Sequence, residues 1–172
     1  MKKLLLPLFV IVCLVNDTNT RATTVTTSAA PIIASQLSNI SARGFVQTGD
    51  DVMIGGFIVQ GNEPKRVIIR AIGPELTQHG VPNALANPTL ELHDGTGALI
   101  ASNNNWATTI IGGIITANQV REIQASGYAP RNGLESAIIA DLPAGNYTAI
   151  VKGVNNTTGV ALAEVYDLGN DQ

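Results

Sequence analysis

Thr89-Leu90-Glu91-Leu92-His93-Asp94-Gly95-Thr96-Gly97-Ala98-Leu99-Ile100-Ala101-Ser102 reads as a β-hairpin, and Asn103-Asn104-Asn105 carries it on to Trp106, the sole tryptophan. Leu90 and Leu92 alternate with Thr89, Glu91 and His93, the period of a half-buried strand. Asp94-Gly95-Thr96-Gly97 supplies residues that tolerate positive φ and close a tight turn. Residues 99–102 return as the second strand. Such a hairpin cannot bury its apolar face alone, so a second sheet must lie over it.

The same punctuation recurs on both sides. Upstream, 41–46 and 52–59 are strand-like around the turn Gln47-Thr48-Gly49-Asp50-Asp51, and Gly55-Gly56 suggests a bulge or a close backbone approach. After Gly61-Asn62-Glu63-Pro64 comes a strand at 66–71, with Val67 and Ile69 facing one way and Arg66, Ile68 and Arg70 the other. Residues 72–88 hold three prolines and two glycines and read as a crossing segment with one short helical turn at 75–79. Downstream, Thr116 and Gln119 have capping-box spacing and Gly127 offers a stop. This predicts one short helix over 117–126, with Val120 and Ile123 on its buried side. Strands at 136–142, 146–154 and 160–166 close the chain. About eight short strands, regular turns and one short helix indicate an all-β protein, an antiparallel β-sandwich of jelly-roll-like form. Aromatic residues make up only 4% of the chain, so its core must be built from Ile, Val, Leu and Ala.

The ends of the chain read differently. Lys2 and Lys3 precede an apolar run over 4–15 that is short for a bilayer span, and Thr20-Arg21-Ala22 places small residues at a cleavage site. Residues 1–22 are therefore expected to be a signal peptide, with an uncleaved anchor as the alternative. A lipid-modified start is set aside because bulky Val12 precedes Cys13. Residues 23–36 form a Thr/Ser/Ala-rich linker, 37–168 the β-sandwich domain and 169–172 a tail. Cleavage would remove Cys13, the only cysteine, leaving packing and backbone hydrogen bonds to hold the domain. It would also leave 7 basic and 12 acidic side chains out of 10 and 13. That acidic balance argues against nucleic acid and against anionic lipid as partners. No later stretch is long and apolar enough for a stable membrane span after cleavage.

Few residues offer chemistry. His79 and His93 form no H-x-x-x-H pair, no G-x-S-x-G elbow exists, and His93 beside Asp94 reads as strand end and turn. No enzyme is expected. Calcium is the one cofactor to weigh: Asp94, Asn103 to Asn105, Asp141 and Asp167 are oxygen donors at strand ends, although no D-x-D-x-D-G loop is present and turns are made of the same residues. Sugar binding would need exposed aromatic faces, for which Trp106 and Tyr128 are the candidates; the competing reading makes Trp106 a lid over the hairpin end. Phe45, Phe57 and Tyr147 are expected in the core or at a corner. Gly145 and Tyr147 are structural candidates, since a tyrosine after a proline-glycine turn can tie its hydroxyl back to the backbone. The Asn-x-Ser/Thr triplets are too common in turn-rich chains to mean glycosylation. Ile110-Ile111-Gly112-Gly113-Ile114-Ile115 has no charge anywhere from 107 to 120 and would be an aggregation hazard as a free loop. It must either pack on its own sandwich, the preferred reading, or dock a neighbour.

Two resemblances fit these readings. L-P-A-G-N-Y-T-A-I-V at 142–151, together with L-E-L-H-D-G-T-G-A-L-I-A-S at 90–102, is similar to the bacterial pre-peptidase C-terminal domain, a jelly-roll-like secreted module. A fuller resemblance, over 37–168, is to an uncharacterised module of large secreted proteins from environmental bacteria. It rests on L-S-N-I-S-A-R-G-F-V-Q-T-G-D-D-V-M-I-G-G-F-I-V, R-V-I-I-R-A-I-G-P-E-L, the hairpin stretch through Trp106, and L-P-A-G-N-Y-T-A-I-V with V-A-L-A-E-V-Y-D-L. The chain departs from that pattern at 108–120, which reads as an insertion. Both resemblances imply a secreted or cell-surface location and supply no catalytic residues. The expected function is a non-catalytic structural, adhesion or protein-interaction module whose partner is an extracellular protein or glycan surface. The alternative is a glycan-binding module accessory to extracellular polysaccharide degradation. The expected leader has a direct test: the intact mass of the exported protein should lack residues 1–22, and a mass that retains them would refute cleavage.

Overall fold

The computed structural model describes residues 39–169; the expected leader and linker, residues 37–38 and the last three residues lie outside the described residues. Among the described residues eight strands form: β1 (Asn39–Val46), β2 (Met53–Val59), β3 (Lys65–Ile72), β4 (Pro88–His93), β5 (Leu99–Asn103), β6 (Ser136–Leu142), β7 (Gly145–Gly153) and β8 (Gly159–Asp167). They make two four-stranded sheets, β1-β8-β3-β6 and β2-β7-β4-β5, antiparallel throughout. Each early strand pairs with its mirror partner in the chain: β4 with β5, β3 with β6, β2 with β7, β1 with β8. The β4–β5 hairpin is thus the innermost of four nested pairs, and rolling them up gives the jelly-roll sandwich.

Period two decides the inner faces. From β3 come Val67, Ile69 and Ala71, from β4 Leu90 and Leu92, from β6 Ile138, Ala140 and Leu142, and from β7 Ala149 and Val151, all in one buried cluster between the sheets. Aliphatic side chains dominate it, and Phe57 and Tyr147 add one stacked aromatic pair with ring centroids 5.6 Å apart. Phe45 does not join them: it lies on the outer face of β1, opposite Val160, and is 53% exposed. Gly55-Gly56 makes no bulge, since β2 pairs with β7 without interruption from Met53 to Val59. The irregularity falls instead between Leu92 and His93, opposite the start of β5.

The helix is shorter than the sequence suggests. α1 spans Val120–Ala125, and no capping box forms. Asn118 Oδ1 accepts from the Val120 N–H instead, while the Gln119 amide turns away to β6, donating to the Ile139 carbonyl and accepting from the Ile139 N–H. Gly127, at φ +75°, ends this segment. A single 3-10 stretch, Pro74–His79, occupies the crossing segment.

The isoleucine-glycine run lies along β5. The Ile114 N–H donates to the Ile100 carbonyl, and a Cβ at Gly113, which has φ +57°, would collide with that same oxygen. Ile115 is buried in the main core, whereas Ile110, Ile111 and Ile114 remain exposed. Backbone and one side chain therefore pack on the sandwich, and the other three isoleucines face outward. Ile115→Ala should cost roughly 2–5 kcal/mol by leaving a cavity, whereas Ile111→Asp should stay within about 0.5 kcal/mol of the parent. Urea midpoints of the two variants would test this, and equal losses would place Ile111 in the core.

Candidate functional site

The outer face of the β1-β8-β3-β6 sheet carries the most built-up region among the described residues. Val67-Ile68-Ile69 and Ala137-Ile138-Ile139 are apolar without alternation because both faces of β3 and β6 are covered. Ile68, Ala137 and Ile139 point outward and gather with Ile123 of α1 in a second buried cluster, flanked by Trp106, Ala129, Tyr166 and Leu168. Trp106 is half-buried there, its Nε1–H donating to the Asn132 carbonyl at 3.1 Å. It covers this outer cluster, and not the hairpin end.

Arg66 projects from β3 beside that cluster. Its guanidinium donates to Glu122 of α1 at 2.9 Å and to Asp141 of β6 at 3.1 Å. Grooves open on either side of the Arg66–Glu122 pair. One, of about 230 Å³, runs between Asn118, Gln119 and Asp141. The other, of about 420 Å³, is bounded by Ser126, Tyr128, Asp167 and Leu168. Three candidates from the sequence, Tyr128, Asp141 and Asp167, thus come together around one arginine.

Tyr128 is held firmly. Its ring stacks on Tyr166 with centroids 4.3 Å apart, and its carbonyl accepts from Arg70 Nη1 at 2.7 Å. Arg70 in turn lies over the Tyr166 ring and pairs with Glu164, donating from Nε at 3.0 Å and from Nη2 as well. The Tyr166 hydroxyl donates to the other oxygen of Glu164 at 2.8 Å. Burial first, and then Glu164, push the Tyr166 pKa above its usual value. The sequence reading missed Tyr166, Arg70 and Glu164; their shared outward parity on β3 and β8 was the available signal.

The remaining candidates stand elsewhere. Asp94 serves the β4–β5 turn, where one carboxylate oxygen accepts from the Thr96 hydroxyl, the Thr96 N–H and the Ala98 N–H. Those bonds hold its pKa below the ordinary value. Asn103 is buried, bridging the Thr108 carbonyl and the Ala137 N–H, and Asn105 sits beside it with a buried Oδ1 that has no partner. Among the described residues no group of three or more His, Asp or Glu side chains gathers in a form suited to a metal ion. Tyr147 is buried and its hydroxyl donates to the Pro143 carbonyl at 2.9 Å, with Gly145 packed against its ring.

A second surface lies on the outer face of the β2-β7-β4-β5 sheet. Ile54 and Ile58 are 62% and 65% exposed, with Gly56 between them and Ile150 opposite Ile54 on β7. Farther across, Glu91 on β4 accepts from Lys152 at 2.8 Å and meets His93 Nε2 at 3.2 Å, while His93 Nδ1 meets the Gly97 carbonyl. Burial raises the Glu91 pKa, but Lys152 and His93 outweigh it and hold the group below its usual value. The face is apolar on the β2 side and charge-compensated on the β4 side.

Comparison with solved structures gives a match to the pre-peptidase C-terminal domain of a collagenase from Bacillus anthracis, known from a crystal structure. The TM-score is 0.44 and the identity 16%, over 74% of this chain and 89% of that one. The likeness is distant. No protein-family model matches the chain, and the search of curated proteins gave no match.

One titratable group ties the crossing segment to the loop before β6. Glu135 is fully buried, with Oε1 accepting from the Gly73 and Glu75 N–H groups and Oε2 from that of Asn132. Burial outweighs these bonds and raises its pKa above the ordinary glutamate value. A carboxyl with a raised folded pKa contributes most to stability below its unfolded pKa, and that contribution declines as pH rises toward the folded one. The stability difference between the parent and Glu135→Gln should therefore move against the parent as pH rises from 4 to 7. Urea midpoints across that range would show it, and a difference that grew in the parent's favour would reverse the assignment.

Proposed function

We propose that this domain is a non-catalytic extracellular interaction module that docks a partner protein through the isoleucine side of its β2-β7-β4-β5 sheet. The observation that carries this reading is the exposure of Ile54 and Ile58 on one face of the sheet beside Ile150. At about 3.3 Å per residue the two side chains stand roughly 13 Å apart along β2. Clustered apolar exposure of this kind marks interaction surfaces, whereas single exposed isoleucines are ordinary. The neighbouring Glu91, His93 and Lys152 compensate one another, so apolar contact and shape, not charge, would select the partner.

The non-catalytic part of the reading is supported by how the reactive side chains are engaged. Both ring nitrogens of His93 have partners, Asp94 closes a turn, and Glu135 holds backbone N–H groups. None of the three presents a free base beside a nucleophile.

The test is sedimentation of the purified protein with envelope fragments of the cells that produce it. Retention should fall when the fragments are protease-treated and when Ile54 and Ile58 are both replaced by Asp. The urea midpoint of that variant should stay within about 0.5 kcal/mol of the parent, as for other exposed positions. Retention that survives both treatments would exclude protein docking by this face.

A further inference from the structure

We propose that the groove between α1 and the end of β8 is a binding site for a neutral pyranose ring of an extracellular saccharide. This goes beyond the docking face, which lies on the opposite sheet. The groove measures about 420 Å³, within the range of small-ligand sites, and is lined by Arg66, Glu122, Ser126, Tyr128, Asp167 and Leu168.

The chemistry of that lining selects the ligand. A sugar ring has one face of C–H groups and a rim of hydroxyls, each both donor and acceptor. Tyr128 and Leu168 offer the apolar wall, and the carboxylates and guanidinium offer fixed acceptors and donors. Asp141 engages Nη1 and Glu122 engages Nη2 of Arg66, leaving its Nε–H outside those bonds. Lys65 stands 3.9 Å from Asp167, whose Oδ1 also accepts from the Gly169 N–H. The three carboxylates outnumber Arg66 and Lys65 around the groove, so no uncompensated cation calls for an anionic ligand. The aromatic wall is also preformed. Tyr128 is 36% exposed, stacked on Tyr166, held at its carbonyl by Arg70 and at its N–H by Ser126 Oγ. A ring fixed before binding loses little freedom on contact, so a weak stacking contribution is not cancelled by ordering.

The experiment titrates the purified protein with cellohexaose, laminarihexaose, mannohexaose, xylohexaose and chitohexaose, with oligogalacturonate as the anionic comparison, by calorimetry and by amide-shift mapping. At least one neutral oligomer should bind, with shifts centred on residues around Tyr128 and α1. Tyr128→Ala should weaken that binding about tenfold or more, and Tyr128→Phe should keep it. Glu122→Ala, at a more exposed position, should weaken it without changing the urea midpoint. The Ile54→Asp/Ile58→Asp variant should bind as the parent does, which separates this site from the docking face. Absence of binding by every neutral oligomer, tighter binding of oligogalacturonate, or affinity unchanged in both Tyr128→Ala and Glu122→Ala would overturn the proposal.

Discussion

The sandwich depends on the tight closure of one turn. Asp94 gathers three donors from Thr96 and Ala98, and the Asp94 N–H donates to the Ala98 carbonyl. That turn fixes β4 against β5, and every other mirror pair in the chain is nested outside this one. Register there has consequences beyond the hairpin, because a one-residue slip would exchange the faces of Leu90 and Leu92 for those of Glu91 and His93. The pairing shifts register between Leu92 and His93, where Ile100 of β5 is the extra residue, and β4 itself runs on without interruption against β7.

With both sheets antiparallel and uncharged side chains between them, four strand edges remain to be managed. On the β5 and β6 side the chain supplies its own cover. The Ile114 N–H bonds the Ile100 carbonyl of β5, and the side-chain amides of Asn103 and Gln119 meet the β6 backbone at Ala137 and Ile139. A primary amide presents a donor and an acceptor side by side, so Gln119 satisfies both groups of Ile139 as a neighbouring strand would. This treatment blunts an edge without adding a strand that could recruit another chain. Residues 108–120, which the sequence suggested as an insertion, thus contribute to the cover of this edge.

The same segment explains how a sandwich gains a third layer. α1 and Trp106 cover Ile68, Ala137 and Ile139, which would otherwise face water, and the grooves on either side of Arg66 arise where that cover stops. Ion pairs at this rim are partly exposed and contribute little to stability. Their effect is positional: they hold the carboxylates and the guanidinium in place around the groove. The Arg70–Glu164 pair is different, being largely buried and engaged with Tyr166, and losing one partner there would leave a buried charge.

The sequence by itself determined the strands, their number and the sandwich class, because period-two alternation and turn chemistry are local and each could be read within ten residues. The hairpin at 89–102 and the corner at 142–147 were legible for that reason. It also placed Tyr128, Asp141 and Asp167 at strand ends or loops, but as unrelated residues. Only the tertiary structure decided that they surround Arg66, since β3, β6, β8 and α1 are brought together by pairings spanning most of the domain. Phe45 was misread for a related reason: aromatic character suggests burial, whereas its position on the outer face of an edge strand leaves no layer above it. The capping box failed because Thr116 and Gln119 have the right spacing, yet Gln119 finds a better-placed partner in the free backbone of β6. The unalternating Val67-Ile68-Ile69 and Ala137-Ile138-Ile139 did carry a trace of the third layer. What covers them could not be read there, because a pattern of buried positions records that a face is dry and not which distant segment makes it so.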